Sequence, residues 1–292
     1  MEHFNEVINH KLTISSGKVF SKAKDFAMEN YGVIFGYMIC AFIMFFFLGV
    51  IETTLASLPA LVMVVWSVLK SGFQNSVYAG VFIFGSKEKL KRRPVFSDFF
   101  GGIKSFTQLL ILTLIQVLAF LISFVPMLLF FGTYMLSMFG LADSDPNEMI
   151  KFQQEIAEFS ITFIAAIVLT FVLMLLVLMF MFYSVGLVAV YKLSAIKALE
   201  LSVKKVKENL GFHIKIFLLM FVFGLITALL FGLFVSKANP FAGMFVFGFL
   251  GIFFMFPFFI AFQATMFNEV CVYDPKKVKE EMNYEDLDLL DA

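Results

Sequence analysis

Charge is scarce in this chain of 292 residues, and cysteine, histidine and tryptophan are scarcer still. Only 15% of residues are charged and 61% are hydrophobic, which excludes a soluble domain built on one core. The two cysteines, Cys40 and Cys271, lie inside an apolar run and beyond the last one, a separation that argues against a disulfide, and neither has the neighbours of a metal or redox site. The chain contains no phosphate-binding glycine loop, no triad pattern and no cluster of metal-ligating residues. Catalysis therefore has no support, and no cofactor, metal or nucleic-acid partner is expected. The opening Met-Glu-His-Phe-Asn-Glu lacks the basic region and short apolar core of a cleavable signal peptide, so the first apolar run is expected to act as an uncleaved anchor. Tryptophan occurs once, as Trp66, whereas phenylalanine occurs 43 times; Phe is a lipid-compatible filler with no polar atom to satisfy.

What the chain does have is length of apolar sequence. Five stretches run for more than twenty residues without a formal charge, and a sixth is broken only by Lys70. A helix crosses the hydrocarbon core in about 20 apolar residues, and in lipid only helices and closed barrels satisfy their own backbone. The runs are continuous rather than alternating, which excludes barrel strands. The predicted fold is an all-α membrane protein with six spans: 32–51, 58–84, 106–139, 159–191, 216–236 and 241–267. Lysines and arginines gather in the N-terminal arm, in the second–third connector (Lys87 to Lys104), in the fourth–fifth connector (Lys192 to Lys207) and after the last span, while the other connectors carry few. The positive-inside rule then puts both termini in the cytoplasm. Splitting the third run around Pro126 into two spans would reverse that bias, so one long helix is expected, kinked at Pro126 or projecting with the fourth span beyond the membrane.

Each pair of spans follows a short amphipathic segment. Ile196, Leu199, Val203, Val206 and Leu210 form a stripe at helical spacing with lysines opposite; Phe96, Phe99, Phe100 and Ile103 do the same, and Val19, Phe20, Ala23, Phe26 and Ala27 do so less cleanly. Glu29-Asn30-Tyr31-Gly32 and Glu208-Asn209-Leu210-Gly211 mark the same junction twice, supporting three helical hairpins, each preceded by an interfacial helix on the anionic inner leaflet. The expected organisation is an amphipathic arm over 1–30, a membrane domain over 31–270 and an acidic tail over 271–292.

Two stretches, Asp98-Phe99-Phe100-Gly101-Gly102-Ile103-Lys104-Ser105-Phe106 and the helix from Ala195 to Asn209, resemble the signatures of a widespread bacterial family of six-span membrane proteins. That family is similar to the membrane domain preceding the catalytic domain of some glycerophosphodiester phosphodiesterases. The resemblance spans most of 15–270 and implies the fold, a bacterial inner-membrane location and a role as an accessory to another protein. The family's Pro-Gly step late in the fourth span is absent here, where the chain reads Tyr183-Ser184-Val185-Gly186-Leu187. Some relatives are labelled carotene-cleaving oxygenases; that chemistry needs several histidines around iron, and this chain has only His3, His10 and His213.

Lys70 is the sharpest anomaly, deep in the second span with Gln74 and Asn75 about a turn on. A charge at that depth faces a cavity or pins helices together. Gln263, Asn268 and Glu269, at the inner end of the sixth span, are candidates to complete a polar cluster with it. Gly224, Ala228 and Gly232 give the fifth span a small-residue packing face. Asp143, Asp145 and Asn147 imitate the start of a calcium loop, but Pro146 and Glu148 break the pattern. The expected partners are anionic lipids and another membrane or envelope protein. The sequence-level reading is a non-enzymatic scaffold or accessory subunit, or an organiser of inner-leaflet lipid; the alternative is a small transporter or channel around Lys70.

Overall fold

The computed structural model describes residues 16–90, 94–140, 146–237 and 255–272, with side chains for all of these except 16, 88, 133–140, 146–161, 223, 225 and 227–237. Every regular element among them is helical: α1 (Ser16–Glu29), α2 (Tyr31–Leu55), α3 (Ala60–Lys89), a 3₁₀ helix (Phe96–Ser105), α4 (Phe106–Ser123), α5 (Val125–Gly140), α6 (Pro146–Met181), α7 (Ser184–Tyr191), α8 (Ala195–Glu208), α9 (Leu210–Lys237) and α10 (Phe256–Cys271). Among the described residues, three stretches are long and apolar enough to cross a membrane: Tyr31–Leu55, Phe96–Ser123 and Thr162–Tyr191. At most 22% of the apolar window in any of them is buried within the protein. Water would not support so much bare Leu, Ile, Val and Phe, but lipid does. The chain is an all-helical membrane protein.

The helices fall into two compact units, one comprising the chain up to Thr113 and from Tyr183 onward, the other Leu114–Phe182. In the first unit, α1 packs against α10 and α2, and α3 packs against the 3₁₀ helix, α7 and α10. Val19, Ala23, Phe26 and Ala27 recur at helical spacing and are all buried, and Phe20 lies over Phe262 with ring centroids 5.0 Å apart. The stripe expected to lie on the membrane thus covers other helices instead. In α8 the outcome differs: its buried face is Ala195, Ala198, Leu201, Ser202, Lys205 and Val206, and of the expected stripe only Val206 is buried, while Ile196 is 71% exposed. The apolar stripe read from the sequence is rotated because small residues, which hydropathy undervalues, make the closest packing.

The 3₁₀ helix acts as a wedge. Phe99 is fully buried between Tyr37 and Phe84, with stacked rings at 4.2 and 4.3 Å. Glycine permits this approach. A Cβ at Gly80 would lie 1.7 Å from the Phe99 carbonyl oxygen, and one at Gly102 would lie 2.1 Å from that of Ser76. Asp98 secures the start of the wedge, accepting from the Val95 N–H at 2.8 Å and from Lys87 at 2.7 Å.

In the second unit, α5 packs against α6, with Phe163 near Phe130 and Phe131 at 5.4 and 6.0 Å. The third run is not one continuous helix. It pauses at Phe124, whose N–H is shared between the Phe120 and Leu121 carbonyls at 3.2 and 3.1 Å. Pro126, two residues on, offers no N–H, and its ring crowds the carbonyl four residues back. The fourth run is also interrupted, at Phe182–Tyr183, although no proline is present. There the Tyr183 N–H donates to Ser202 Oγ at 3.2 Å instead of continuing the helical ladder. The tail beyond Val272 and the Asp143–Asp145 segment lie outside the described residues.

Candidate functional site

The polar groups of the first unit gather at three places, and the residues singled out by sequence divide among them. The first is the α2–α3 hairpin. Lys70 Nζ forms an ion pair with Glu52 from the last turn of α2, with side chains 21% and 33% exposed. Glu52 lies one residue past the predicted first span, so the pair joins the end of that span to the lysine inside the second. Gln74 lies one turn on, half-buried, and Asn75 donates to Thr113 Oγ1 at 2.8 Å, tying α3 to α4. The Trp66 indole N–H, one turn before Lys70, is buried without a hydrogen-bond partner.

The second place is the C-terminal end of α10. Glu269 pairs with Lys22 of α1 at 2.9 Å and lies 3.5 Å from Lys89 of α3. Burial works against its charge, but Lys22 and Lys89 outweigh that and hold its carboxyl below the ordinary value. Lys89 also donates to the Asn268 carbonyl, and burial lowers its own pKa. Asn268 Nδ2 donates to the Gly85 carbonyl at 2.8 Å, and Tyr191 Oη donates to the Cys271 carbonyl at 2.6 Å. Gln263 is buried, faces the Tyr78 hydroxyl and has no hydrogen-bond partner for Oε1. Cys271 is buried and free, its thiol pushed well up by desolvation.

Lys70, Gln74, Asn75, Gln263 and Glu269 therefore do not form one cluster. Lys70 and Lys89 are nineteen residues apart on one helix, roughly 28 Å at about 1.5 Å per residue, and Glu269 belongs to the Lys89 end. Gly224 is exposed, with nothing within 4 Å of an added Cβ; Ala228 and Gly232 lie outside the residues with described side chains.

The third place was not read from sequence. His213, fully buried near the start of α9, donates from Nδ1 to the Asn209 carbonyl at 2.8 Å, and its Nε2 accepts from Tyr183 Oη at 2.6 Å. A carbonyl can only accept, so the neutral Nδ1–H tautomer satisfies both bonds. Beside it on α8, the Lys205 side chain is 2% exposed with Nζ 3.4 Å from Glu208 Oε2, a long ion pair that leaves that oxygen without a true hydrogen bond. Burial lowers the Lys205 pKa, and Glu208 partly restores it. The available signals were His213 four residues after Asn209 and a lysine on the face occupied by Ala198, Leu201 and Ser202. Pattern reading assigns such a lysine to the solvent side.

Chemically, these are pins. Each contains at least one bond between different helices or junctions, and each also holds one buried polar atom with no hydrogen-bond partner among the described residues: Trp66 Nε1, Gln263 Oε1 and Glu208 Oε2. Among the described residues, no group of three or more His, Cys, Asp or Glu is placed to hold a metal. No family model, curated protein or solved structure matches the chain.

Proposed function

We propose that this protein is a membrane-embedded scaffold or accessory subunit for another membrane or envelope protein. In this reading it has six spans in the bacterial inner membrane, with both termini cytoplasmic. The observation that carries the proposal is the bareness of the α5–α6 hairpin and its flanks. Leu118, Ile122, Leu128, Leu129 and Ile164 are each more than half exposed, on a unit compact in its own right. Such a surface suits lipid or a partner's span. The resemblance to an enzyme-appended membrane domain, read from 98–106 and 195–209, points the same way. A photo-crosslinking residue at Leu129 or Ile164 should give a discrete protein adduct in intact membranes, with none from Leu218 on α9. Adducts to lipid alone would sink the scaffold and leave an organiser of lipid. For the topology, single cysteines at positions 145 and 288 should be labelled from opposite sides of the membrane.

A small transporter is favoured by one observation only, the ion pair of Lys70 and Glu52, with Gln74 and Asn75 about a turn on. That reading requires Lys70→Met to abolish substrate flux while leaving the melting temperature nearly unchanged.

A further inference from the structure

The ion pairs at the end of α10 and on α8 place a carboxylate beside each lysine; the lysines where the 3₁₀ helix meets the α7–α8 link are arranged differently. The 3₁₀ helix ends in Lys104 and Ser105, and the link between α7 and α8 begins with Lys192. Two hydrogen bonds stitch these segments together: Lys192 Nζ to Ser105 Oγ at 3.1 Å, and the Ala195 N–H to Gln108 Oε1 at 3.0 Å. Lys192 is thereby set beside the residue following Lys104. Among the described residues, no carboxylate forms an ion pair with Lys104 or Lys192, whereas Lys22, Lys70, Lys87, Lys89 and Lys205 each have one. Burial lowers the Lys192 pKa, and the Lys104 charge lowers it further.

Two further features single out this corner. Lys192 has a φ of 55°, and no other non-glycine residue among those described has a positive φ. Such a conformation is strained in a residue that is neither Gly nor Asn, so the surrounding bonds must enforce it. Exposed isoleucines flank the pair, with Ile103 at 41% adjoining Lys104 and Ile196 at 71% starting α8. Uncompensated ammonium groups next to bare aliphatic side chains, at the basic boundary of a membrane protein, match the junction between phosphate and acyl chain.

We infer that Lys104, Lys192 and the Ser105 hydroxyl form a binding site for a phosphate group, carried by an anionic phospholipid of the inner leaflet. The inference rests on the membrane-embedded reading above and names one ligand for its basic face. Phosphate between the two ammonium groups removes their mutual repulsion, and Ser105 can turn its hydroxyl hydrogen from its own surroundings to a phosphate oxygen. A free phosphate ester offers the same chemistry without the acyl chains that would cover Ile103 and Ile196.

The test uses the full chain in detergent micelles, titrated with phosphatidylglycerol, phosphatidylcholine or inorganic phosphate and followed by native mass spectrometry. Lys104→Gln with Lys192→Asn removes both charges, and Asn tolerates the left-handed backbone. Lys192→Gly replaces Lys192→Asn if the melting temperature falls. The control is Lys24→Gln with Lys207→Gln, an equal charge loss at exposed lysines elsewhere. Phosphatidylglycerol binding should weaken roughly thirtyfold in the site variant, about fivefold per lysine near an anionic surface, and by less than about threefold in the control. Loss of inorganic phosphate binding with lipid binding unchanged would support the phosphate site with a soluble ligand. Equal losses in both variants, or no difference from wild type, would overturn the site. None of these results depends on the crosslinks sought at Leu129 and Ile164, so the two readings fail separately.

Discussion

In the unit that ends at Thr113 and resumes at Tyr183, polar side chains reach across to other segments: Tyr37 Oη to the Val77 carbonyl at 2.9 Å, Asn75 to Thr113 at 2.8 Å, Asn268 to the Gly85 carbonyl at 2.8 Å. In Leu114–Phe182, among the described residues, Ser123 Oγ donates to the Ala119 carbonyl of its own helix at 2.9 Å, and the buried Thr170 hydroxyl has no hydrogen-bond partner. In the first unit Gly80 and Gly102 admit backbone from a neighbour, whereas Gly224 there and Gly132 in the second have nothing among the described residues within 4 Å of an added Cβ. Lipid supplies no hydrophobic drive between helices, so close packing and directional bonds must fix their register. The first unit has both. The described side chains of the hairpin give ring contacts, which hold two helices together through dispersion but specify their alignment weakly.

The sharpest way to break this contrast is to fill the closest approach. Gly80→Ala pushes a methyl group into the Phe99 carbonyl and should destabilise the first unit by about 3 kcal/mol or prevent folding altogether, read as thermal unfolding in detergent. A near-neutral result would mean that the wedge of the 3₁₀ helix does not seat as described.

Next in size is the buried relay. Tyr183→Phe removes the hydroxyl that His213 Nε2 accepts from and leaves a buried ring nitrogen unpaired, a cost of about 1–3 kcal/mol. Tyr183→Phe with His213→Phe should recover part of that loss, because replacing both partners leaves no orphan. Failure of the double variant to recover would assign Tyr183 a role in packing alone, against Phe267 at 6.5 Å.

The α10 network gives a pH test. Because Glu269 has a folded pKa below its unfolded value of about 4.3, its contribution is present above that value and disappears as pH falls through the folded one. Wild type should therefore lose more stability than Glu269→Gln on acidification below about pH 4.3, and the difference should vanish once both carry a neutral side chain. Parallel pH profiles would remove Glu269 from the list of pins.

Comparison of these elements explains what the sequence disclosed. Uncharged length was legible because lipid demands it of any helix, so the membrane class and the three long apolar helices were readable. Lys70 stood out for the same reason, but its partner Glu52 did not, since a carboxylate three residues from a helix end looks like a loop residue. Amphipathic stripes were legible as helices, not as to what they cover. Val19 and Phe26 face protein here, and hydropathy cannot tell a neighbouring helix from a lipid tail. The break at Tyr183 was unreadable because its cause, the Ser202 hydroxyl, lies nineteen residues away. Lys205 and His213 escaped because pattern reading assumes that charge faces outward.

The smallest expected effect sharpens the comparison most. Gly132→Ala in α5 adds a methyl group where nothing among the described residues stands within 4 Å, so the expected consequence is reduced backbone freedom in the unfolded state. The helix should gain about 0.5–1 kcal/mol, read as slower hydrogen exchange of amides in α5 with the melting temperature of the first unit unchanged. The same substitution would then stabilise one unit and disrupt the other, as expected if one is bonded closely across helices and the other is bare. A loss of stability in intact membranes, but not in detergent, would show that a neighbour occupies the space beside Gly132, and crosslinks from Leu129 should then identify it. A loss in detergent as well would mean that the hairpin packs more closely than its exposed face implies, and the contrast between the two units would fall with it.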